Sequence, residues 1–316
     1  MNFIFLMDPL DTVVVDKDTT FMLMVGAHRH GHKVFFLPEG GMTRKDNQLF
    51  FHATKVIPQI TSRVPPFRIQ QRKILSEKDV DAVFIRPNPP FDNDYLMNTW
   101  LLDLRPKHIV AVNDPAGIRT VNEKIWATQF AGIIPPTVVT RNISEMMYFL
   151  TKEKNIIAKP TDAFGGFSIF HIRQEQERNT KVIFETLSML GQREIILQKY
   201  IPQAQRGDKR ILLLNGEPLG AVLRVHAPGE HRNNLFTGGK PKAASINKRD
   251  LEIIGVLKPH LQALGLYFVG IDIIGDYLIE VNVTSPTCLQ EMNRLYNLHL
   301  ENKVINFVEN LVKMRK

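Results

Sequence analysis

The residues best suited to chemistry in this chain are Asp272, Glu280 and Asn282, which lie in the stretch 268–286. Apolar and polar residues alternate on both sides of Gly275-Asp276, a pattern typical of two antiparallel β-strands joined by a tight turn. One face would rest on a core and the other would carry the three oxygen-bearing side chains. Carboxylate and amide oxygens suit Mg²⁺, which proteins usually hold with one or two carboxylates plus substrate phosphates. The alternative is an ordinary solvated sheet face.

Whether Asp272 meets Glu280 depends on the length of the turn. A two-residue loop would pair Ile274 with Tyr277 and place the two acids on opposite faces of the hairpin. A loop one residue longer would pair Ile274 with Leu278 and set the acids directly across from each other. Because a one-residue slip inverts every side chain, only the second register gathers the β-branched residues on the other face. We therefore predict the three-residue loop.

Lysines and a glycine pair earlier in the chain favour a phosphate site. Lys124 opens a predicted amphipathic helix, and Lys159 lies on a predicted strand over 156–160. The loop 162–168 contains Gly165-Gly166, and such a loop lets backbone amides approach phosphates closely. Ammonium groups act as point charges on polyphosphate, so the two lysines favour phosphate binding over a simple turn.

Three arginines lie where they can hold anions. Asn215-Gly216 is the dipeptide favoured in two-residue hairpin turns, and the strands that flank it place Arg210 and Arg224 near Asp208. Simple ion pairing and an anionic substrate site are both consistent with this group. Arg86 ends a strand in the first third of the chain, where open α/β sheets bind ligands. A fixed guanidinium there can hold a carboxylate with two hydrogen bonds.

Two other features have simpler explanations. Cys288 has no recognisable histidine partner, and lone cysteines are usually small buried hydrophobic residues. The run His28-Arg29-His30-Gly31-His32 falls at a predicted helix C-terminus, where cationic groups meet the negative end of the helix dipole. We therefore assign neither a nucleophile nor a metal site to these residues.

Composition limits the class of protein. The chain has 316 residues, 44% of them apolar and 23% charged, which is typical of a globular protein of two or three domains. A single cysteine excludes an intrachain disulfide and fits a reducing compartment. The N-terminus lacks the basic region of a signal peptide, and no window approaches the roughly 18 apolar residues of a membrane span. The net charge of +8 favours anionic ligands, but the basic residues are scattered, which disfavours nucleic acid.

Hydrophobic periodicity predicts three consecutive units. Residues 1–120 alternate strand and helix patterns, which indicates an open α/β sheet. The next unit, 122–200, combines short strands with the amphipathic helix that opens at 122–124 and a second helix over 144–150. The last unit, 203–316, contains the two hairpins, helices over 247–264 and 298–312, and a long segment without periodicity, which is typical of a lid.

The sequence resembles the prokaryotic glutathione synthetases, a family of ATP-grasp ligases, over about residues 1–316. The match rests on these blocks, which occur in family order: Arg86 with Pro89-Pro90-Phe91-Asp92, 122–124, 159–168, 207–218 and 268–288. The resemblance implies an α/β (α+β overall) protein with an N-terminal open α/β sheet domain, 1–121. An ATP-grasp fold of two α+β units would follow, 122–201 and 202–316, with the nucleotide between them and a mobile loop over 226–242.

The resemblance also implies a role for particular residues. Magnesium, with manganese as an alternative ion, would be bound by Asp272, Glu280 and Asn282. The catalytic residues would be Lys159, Arg210 and Arg224. Nucleotide contacts would come from Lys124, Lys159, Ala163, Phe164, Gly165, Gly166, Gln198, Lys199, Tyr200, Ile201 and Asp208. Substrate contacts would come from Arg86, Arg210, Arg224, Arg232, Asn234, Asn282 and Ser285.

The implied activity is the ATP-dependent joining of γ-glutamylcysteine to glycine, which yields glutathione, ADP and phosphate through an acyl phosphate. The resemblance further implies a cytoplasmic homotetramer with small-molecule substrates and neither nucleic acid nor membrane as a partner. Three alternatives stay open from the residues alone. They are an ATP-grasp ligase for other amino acids, a non-catalytic ATP-binding regulator, and a nucleic-acid binder whose affinity would fall steeply with salt.

Overall fold

The computed structural model describes residues 1–60, 65–162, 167–226 and 239–316. The strands in these ranges form three sheets, each built from a consecutive part of the chain. Within the same ranges, none of the helices combines the length and apolar character that crossing a bilayer requires.

The first sheet is formed by the N-terminal third of the chain. Its strands are β1 Asn2–Leu6, β2 Lys33–Leu37, β3 Met42–Lys45, β4 Gln48–Pro58, β5 Phe67–Ser76, β6 Ala82–Ile85 and β7 Val110–Val112. The order is β3-β4-β2-β1-β6-β7, with β5 paired to β4. Strands β2, β1, β6 and β7 are parallel, which confirms the predicted α/β sheet, and β3, β4 and β5 extend it in antiparallel pairing.

Three helices accompany this sheet: α1 Thr19–Arg29, α2 Asn93–Asp103 and α3 Pro115–Thr120. Each begins after an aspartate whose side chain accepts a backbone N–H of the first turn. Such an N-cap typically contributes about 1 kcal/mol. The capping residues are Asp18, Asp92 and Asp114.

The second sheet belongs to the central part of the chain. Its antiparallel strands are β8 Thr137–Thr140, β9 Asn155–Pro160, β10 Phe170–Arg173 and β11 Ile195–Lys199, in the order β10-β9-β11-β8. The helices of this unit are α4 Ile143–Glu153 and α5 Thr180–Leu187. Met146, Leu150 and Phe184 pack with the strands in a small separate core.

The third sheet is antiparallel throughout. Its strands are β12 Asp208–Leu214, β13 Glu217–Val225, β14 Lys240–Ala243, β15 Phe268–Ile274 and β16 Tyr277–Asn282, in the order β14-β13-β12-β15-β16. The helices are α6 Lys248–Ala263, α7 Leu289–Tyr296 and α8 Leu300–Arg315.

The first and third sheets share their hydrophobic cores. One cluster joins Ile4 of β1 to Ile211 of β12, and a second joins Phe5 of β1 to Val308 of α8. The C-terminal helix therefore packs against the N-terminal sheet. The second sheet, in contrast, is stabilised mainly by its own small core.

The turn of the last hairpin differs from the prediction. Ile274 pairs with Tyr277, so the loop has two residues and the predicted three-residue loop is wrong. A β-bulge at Ile279 restores the pairing of Asp272 with Glu280. The prediction that the two acids face each other is therefore confirmed, although for a different geometric reason.

Two other predictions need correction. The motif at 122–124 does not open an α-helix, although the Asn122 side chain accepts the backbone N–H groups of Lys124 and Ile125 as a helix N-cap would. Only a 3₁₀ helix, Trp126–Gln129, follows. The segment 226–242, predicted to lack structure, ends in strand β14, while residues 227–238 lie outside the described residues.

Candidate active site

The last hairpin places Asp272, Glu280 and Asn282 on one face. Asp272 pairs directly with Glu280, and Gly270 pairs with Asn282. The bulge at Ile279 makes this possible after a two-residue turn, because one additional residue reverses the side-chain direction along the rest of the strand. The Asn282 amide nitrogen lies 3.4 Å from the Asp272 carboxylate. The three predicted metal ligands are therefore close together.

Two arginines from the neighbouring strands hold Asp272. Arg210 donates to both carboxylate oxygens, with Nη2 2.9 Å from Oδ2, and Arg224 Nη2 lies 3.0 Å from Oδ2. Arg224 also donates to Asp208, with Nε 2.8 Å from Oδ1. The Arg210 side chain crosses Gly270, where a Cβ atom would lie 3.2 Å from it. We refer to Asp208, Arg210, Arg224 and Asp272 as the arginine–aspartate cluster.

The cluster keeps Asp272 ionised inside the protein. Burial alone would raise the pKa of this carboxyl group, but the guanidinium groups of Arg210 and Arg224 outweigh burial and hold the pKa well below its usual range. The two arginines and the Asn282 amide nitrogen together use about the four lone-pair positions of a carboxylate, so a bound ion would take the place of the long contact from Asn282. Asp272 therefore suits a metal ligand, and the hard oxygens of Glu280 and Asn282 complete a donor set that fits Mg²⁺.

Two lysines lie against these acids. Lys124 Nζ is 2.9 Å from Glu280 Oε1, whereas Lys159 Nζ donates to the neutral amide of Gln198 at 3.4 Å. Lys159 is only 6% exposed. Burial lowers its pKa to about 8, and the charge of Glu280 opposes part of this shift. An anionic ligand beside Lys159 would restore the usual preference for the ammonium form.

The predicted nucleotide-binding segment 198–201 covers the last two residues of β11 and the two residues that follow it. Gln198 is buried, Lys199 is exposed and Ile201 is buried. The Tyr200 ring stacks on the His171 ring, with 4.1 Å between the ring centroids. The segment connects the second sheet to the third, so it lies where a nucleotide between the two sheets would reach it.

Arg86 lies at the carboxyl end of β6, as predicted, but its guanidinium group is buried. Nη2 donates to the Pro286 carbonyl at 2.9 Å and Nε donates to Thr20 at 3.1 Å. Burial lowers the pKa of Arg86 to about 10, so the group stays charged at neutral pH. Next to Pro286, the Ser285 hydroxyl donates to Asn88 at 3.1 Å. The two predicted dipeptide contacts, Arg86 and Ser285, are therefore neighbours.

Three buried polar atoms in the N-terminal unit have no hydrogen-bond partner in the part of the chain that the structure describes. They are Arg86 Nη1, Thr19 Oγ1 and Tyr95 OH. Buried polar groups are rarely left unpaired, so these atoms offer polar contacts to a ligand. Nothing in the sequence singles out Tyr95, because a tyrosine at a helical position resembles an ordinary core residue.

Two residues that were not predicted, Glu123 and Asn113, hold the ends of the metal-ligand hairpin. Glu123 Oε1 accepts three hydrogen bonds, from the Val283 and Thr284 amides and the Thr284 hydroxyl, at 2.8–3.0 Å. Asn113 donates to the Phe268 and Val283 carbonyls and accepts from the Phe268 amide, at 2.7–2.8 Å. Glu123 lies in a motif already singled out, whereas nothing in the local sequence indicates Asn113.

Six predicted site residues lie outside the described residues, and their roles stay predictions. They are Ala163, Phe164, Gly165, Gly166, Arg232 and Asn234. The other predicted residues are all placed: the metal ligands, both lysines and the arginine–aspartate cluster meet between the second and third sheets, with Arg86 and Ser285 at the junction with the first sheet.

Three such sheets, with acidic and basic side chains gathered between the second and third, define an ATP-grasp ligase. Solved structures with the same fold include D-cycloserine synthetase DcsG, with a TM-score of 0.66 and 14% identity over 99% of this chain and 100% of that chain. Another is the ATP-grasp ligase PsnB complexed with Mg and ADP, with a TM-score of 0.62 and 12% identity over 98% of both chains. Identities this low show the fold alone.

Sequence comparison shows the family. The family model described as "Prokaryotic glutathione synthetase, N-terminal domain" matches residues 1–119. The family model described as "Prokaryotic glutathione synthetase, ATP-grasp domain" matches residues 123–297. The chain is 37% identical to the glutathione synthetase of Nitrosomonas europaea over 98% of both chains. It is 36% identical to that of Synechocystis sp. over 98% of this chain and 99% of the relative. The chain belongs to the prokaryotic glutathione synthetase family, and it is an ATP-dependent ligase that forms glutathione.

Proposed function

We propose that the site joins γ-glutamylcysteine to glycine in two steps. A carboxylate does not accept an amine at neutral pH without activation. The cysteinyl carboxylate oxygen attacks the γ-phosphorus of ATP, which forms an acyl phosphate and releases ADP. The glycine amine then attacks the acyl carbon, the amide bond forms, and phosphate leaves as the amine loses its proton. The observation that carries this proposal is the meeting of Asp272, Glu280 and Asn282 with Lys124, Lys159 and the arginine–aspartate cluster.

In this proposal Asp272, Glu280 and Asn282 hold Mg²⁺, and Mn²⁺ can replace it because it accepts the same oxygen ligands. The bound ion supplies positive charge that neutralises the β- and γ-phosphates. Support comes from the ionised state of Asp272 and from its pairing with Glu280 across the hairpin. Lys124, which contacts Glu280, is well placed to act on the same phosphates.

Lys159 and the arginines stabilise the charge that the transfer creates. Phosphoryl transfer depends mainly on positioning and electrostatic stabilisation. Lys159 faces the site from the second sheet, and Arg210 and Arg224 face it from the third. We assign these two arginines to the reacting carboxylate and phosphate, and Asp208 to the nucleotide. The loop 163–166 and the segment 198–201 would complete the nucleotide contacts.

The dipeptide would bind at the junction with the first sheet. Among the described residues, nothing pairs with one guanidinium nitrogen of Arg86, and Ser285 is next to Pro286, which Arg86 contacts. Asn282 would contribute from the hairpin. Arg232 and Asn234 would join these contacts from the segment 226–242. Closure of that segment over the substrates would protect the acyl phosphate from hydrolysis.

We also propose that the protein is a cytoplasmic homotetramer whose three units are 1–121, 122–201 and 202–316. A strip of apolar side chains on α2 and on the residue after it supports an assembly of copies. Met97, Trp100 and Leu104, spaced three and four residues apart, are each about half exposed. Light scattering at several protein concentrations would measure the oligomeric state, and a monomer at every concentration would contradict this part of the proposal.

Phosphate release tests the proposed activity directly. We expect rapid release with ATP, γ-glutamylcysteine and glycine together, slow release without glycine, and none without the dipeptide. A panel of other dipeptides and acceptor amino acids identifies a related ligase if one of them supports faster turnover. Binding of Mg·ATP without phosphate release from any pair of substrates would contradict the proposal and would instead indicate a regulator.

A further inference from the structure

Three metal-ligand side chains from distant parts of the chain meet at the junction of α1, β2 and α8. His30 follows the last residue of α1, His32 precedes β2, and Glu309 lies on α8. His30 Nδ1 is 2.9 Å from Glu309 Oε1, and His32 Nε2 is 2.8 Å from the same oxygen. Among the described residues, these three are the group of His, Cys, Asp and Glu whose ligand atoms all lie within 4.8 Å of one another.

The chemistry of this group suits a transition metal. Imidazole nitrogens favour Zn²⁺, Cu²⁺ or Ni²⁺ over Mg²⁺, and two histidines with one carboxylate form a familiar ligand set for such ions. Ligand atoms of a tetrahedral zinc site lie about 3.4 Å apart, so the two separations from Glu309 Oε1, 2.9 and 2.8 Å, need to widen by only about half an ångström. The three side chains are 8–22% exposed, which leaves access for the ion and for water as a further ligand.

Two cations lie beside the three proposed ligands. The Met1 ammonium group donates to His32 Nδ1 in a long contact of 3.4 Å, and this contact would break when Nδ1 takes the ring proton. Lys313 is the competing cation, but it is 4.0 Å from the other Glu309 oxygen and well exposed, so it can move away.

We propose that His30, His32 and Glu309 form a binding site for Zn²⁺ that is separate from the ligation site. The ion would replace the two hydrogen bonds to Glu309, and the proton of each ring would move to its other nitrogen. Because Val304, Ile305 and Val308 of α8 already pack against Phe3 and Phe5 of β1, the ion would fasten the C-terminal helix to the N-terminal sheet. Its expected effect is greater stability, with no part in the chemical step.

This proposal is tested by titration of the full chain with Co²⁺ or Zn²⁺. A large excess of Mg²⁺ would occupy the oxygen ligands of the ligation site. We expect one equivalent of Co²⁺ to bind with the visible absorption of a nitrogen-ligated site and to be displaced by Zn²⁺. Zinc at 100 times its Kd should raise Tm by several degrees. Activity with Mg·ATP should not change when the site is filled.

Single substitutions locate the site. His30→Ala and His32→Ala should each weaken Zn²⁺ binding by about 100-fold or more and abolish the rise in Tm. His28→Ala is the matched control, because His28 belongs to the same histidine run but is exposed on α1, and it should bind Zn²⁺ like the wild type. Where a histidine variant does not fold, Glu309→Gln serves instead. The proposal is overturned if wild-type protein binds no Co²⁺ or Zn²⁺ under excess Mg²⁺, or if His28→Ala loses as much affinity as His30→Ala.

Discussion

The second and third sheets bring charge to the active site in opposite ways. In the third sheet, two arginines and two aspartates neutralise one another through direct contacts, and Arg210, Arg224 and Asp272 are no more than 5% exposed. In the second sheet, Lys159 is equally buried but donates to an uncharged amide. The charges on the third-sheet side therefore balance one another before any ligand binds. On the second-sheet side, the charge of Lys159 is balanced only when an anion binds.

This difference predicts that the third-sheet side contributes mainly to stability and the second-sheet side mainly to ligand binding. A paired buried charge is costly to break, because removal of one partner leaves the other uncompensated. A buried cation with a lowered pKa destabilises the empty protein and gains most when phosphate arrives. Substitutions on the third sheet should therefore reduce stability most, and a substitution of Lys159 should reduce nucleotide affinity most.

The largest expected effect follows removal of Arg224. Arg224→Met leaves Asp208 and Asp272 with only Arg210 between them, so we expect the free energy of unfolding to fall by about 3–5 kcal/mol. Arg206→Met, which alters an exposed arginine ahead of β12, is the matched control and should change stability by less than about 0.5 kcal/mol. Chemical denaturation measures both. Equal stability of the two variants would remove the distinction between the two sheets.

A smaller effect, in the opposite direction for stability, is expected at Lys159. Lys159→Met should weaken binding of a non-hydrolysable ATP analogue by about 100-fold, because it removes a buried charge beside the phosphates. It should also raise the free energy of unfolding at pH 7 by about 1–3 kcal/mol, because a cation with a lowered pKa no longer has to be buried. Lys152→Met, which alters an exposed lysine on α4, should change neither quantity.

The pH dependence of nucleotide binding checks the same lysine. Because the pKa of Lys159 is about 8, the ammonium group loses its proton as the pH rises through 8, and wild-type affinity should fall over that range. Lys159→Arg keeps its charge, so its affinity should stay level to higher pH. A wild-type affinity that is constant up to pH 9.5 or so would show that Lys159 has the usual lysine pKa of about 10.4.

The smallest of these effects concerns Glu123, which supports the hairpin from outside both sheets. Glu123→Ala leaves two backbone amides and a hydroxyl without their acceptor, which should cost about 1–3 kcal/mol and lower kcat several-fold as the metal ligands lose their support. Glu123→Gln keeps an acceptor oxygen and should retain most of the activity. If the two variants lose activity equally, the charge of Glu123 matters rather than its hydrogen bonds.

Local patterns in the sequence predicted much of the candidate site. Alternation along the last hairpin was sufficient to place Asp272 opposite Glu280, and Asn215-Gly216 correctly indicated the second hairpin. Both central residues of that turn have positive φ, 53° and 77°, as this kind of turn requires. The bulge at Ile279 was not predictable, because an additional residue in a strand leaves no mark in the hydrophobic pattern.

Contacts between distant parts of the chain account for what the sequence did not reveal. The pairing of Arg210 with Asp272 depends on β12 lying beside β15. The role of Asn113 depends on its hydrogen bond to Phe268, which is 155 residues further along the chain. His30 was explained by its helix terminus alone because its partner Glu309 is 279 residues away. Strand β5 was missed because most of its residues are exposed and polar, without alternation.

The most direct test of the account is the affinity of Mn²⁺ for the enzyme saturated with a non-hydrolysable ATP analogue, followed by electron paramagnetic resonance. Glu280→Gln is the informative variant, because it removes one proposed ligand and leaves the arginine–aspartate cluster intact. Its control is Asp276→Asn, in the exposed turn of the same hairpin. We predict that Glu280→Gln weakens Mn²⁺ binding by about 10–100-fold while Asp276→Asn binds like the wild type. Wild-type affinity in Glu280→Gln would contradict the assignment of this hairpin as the metal site.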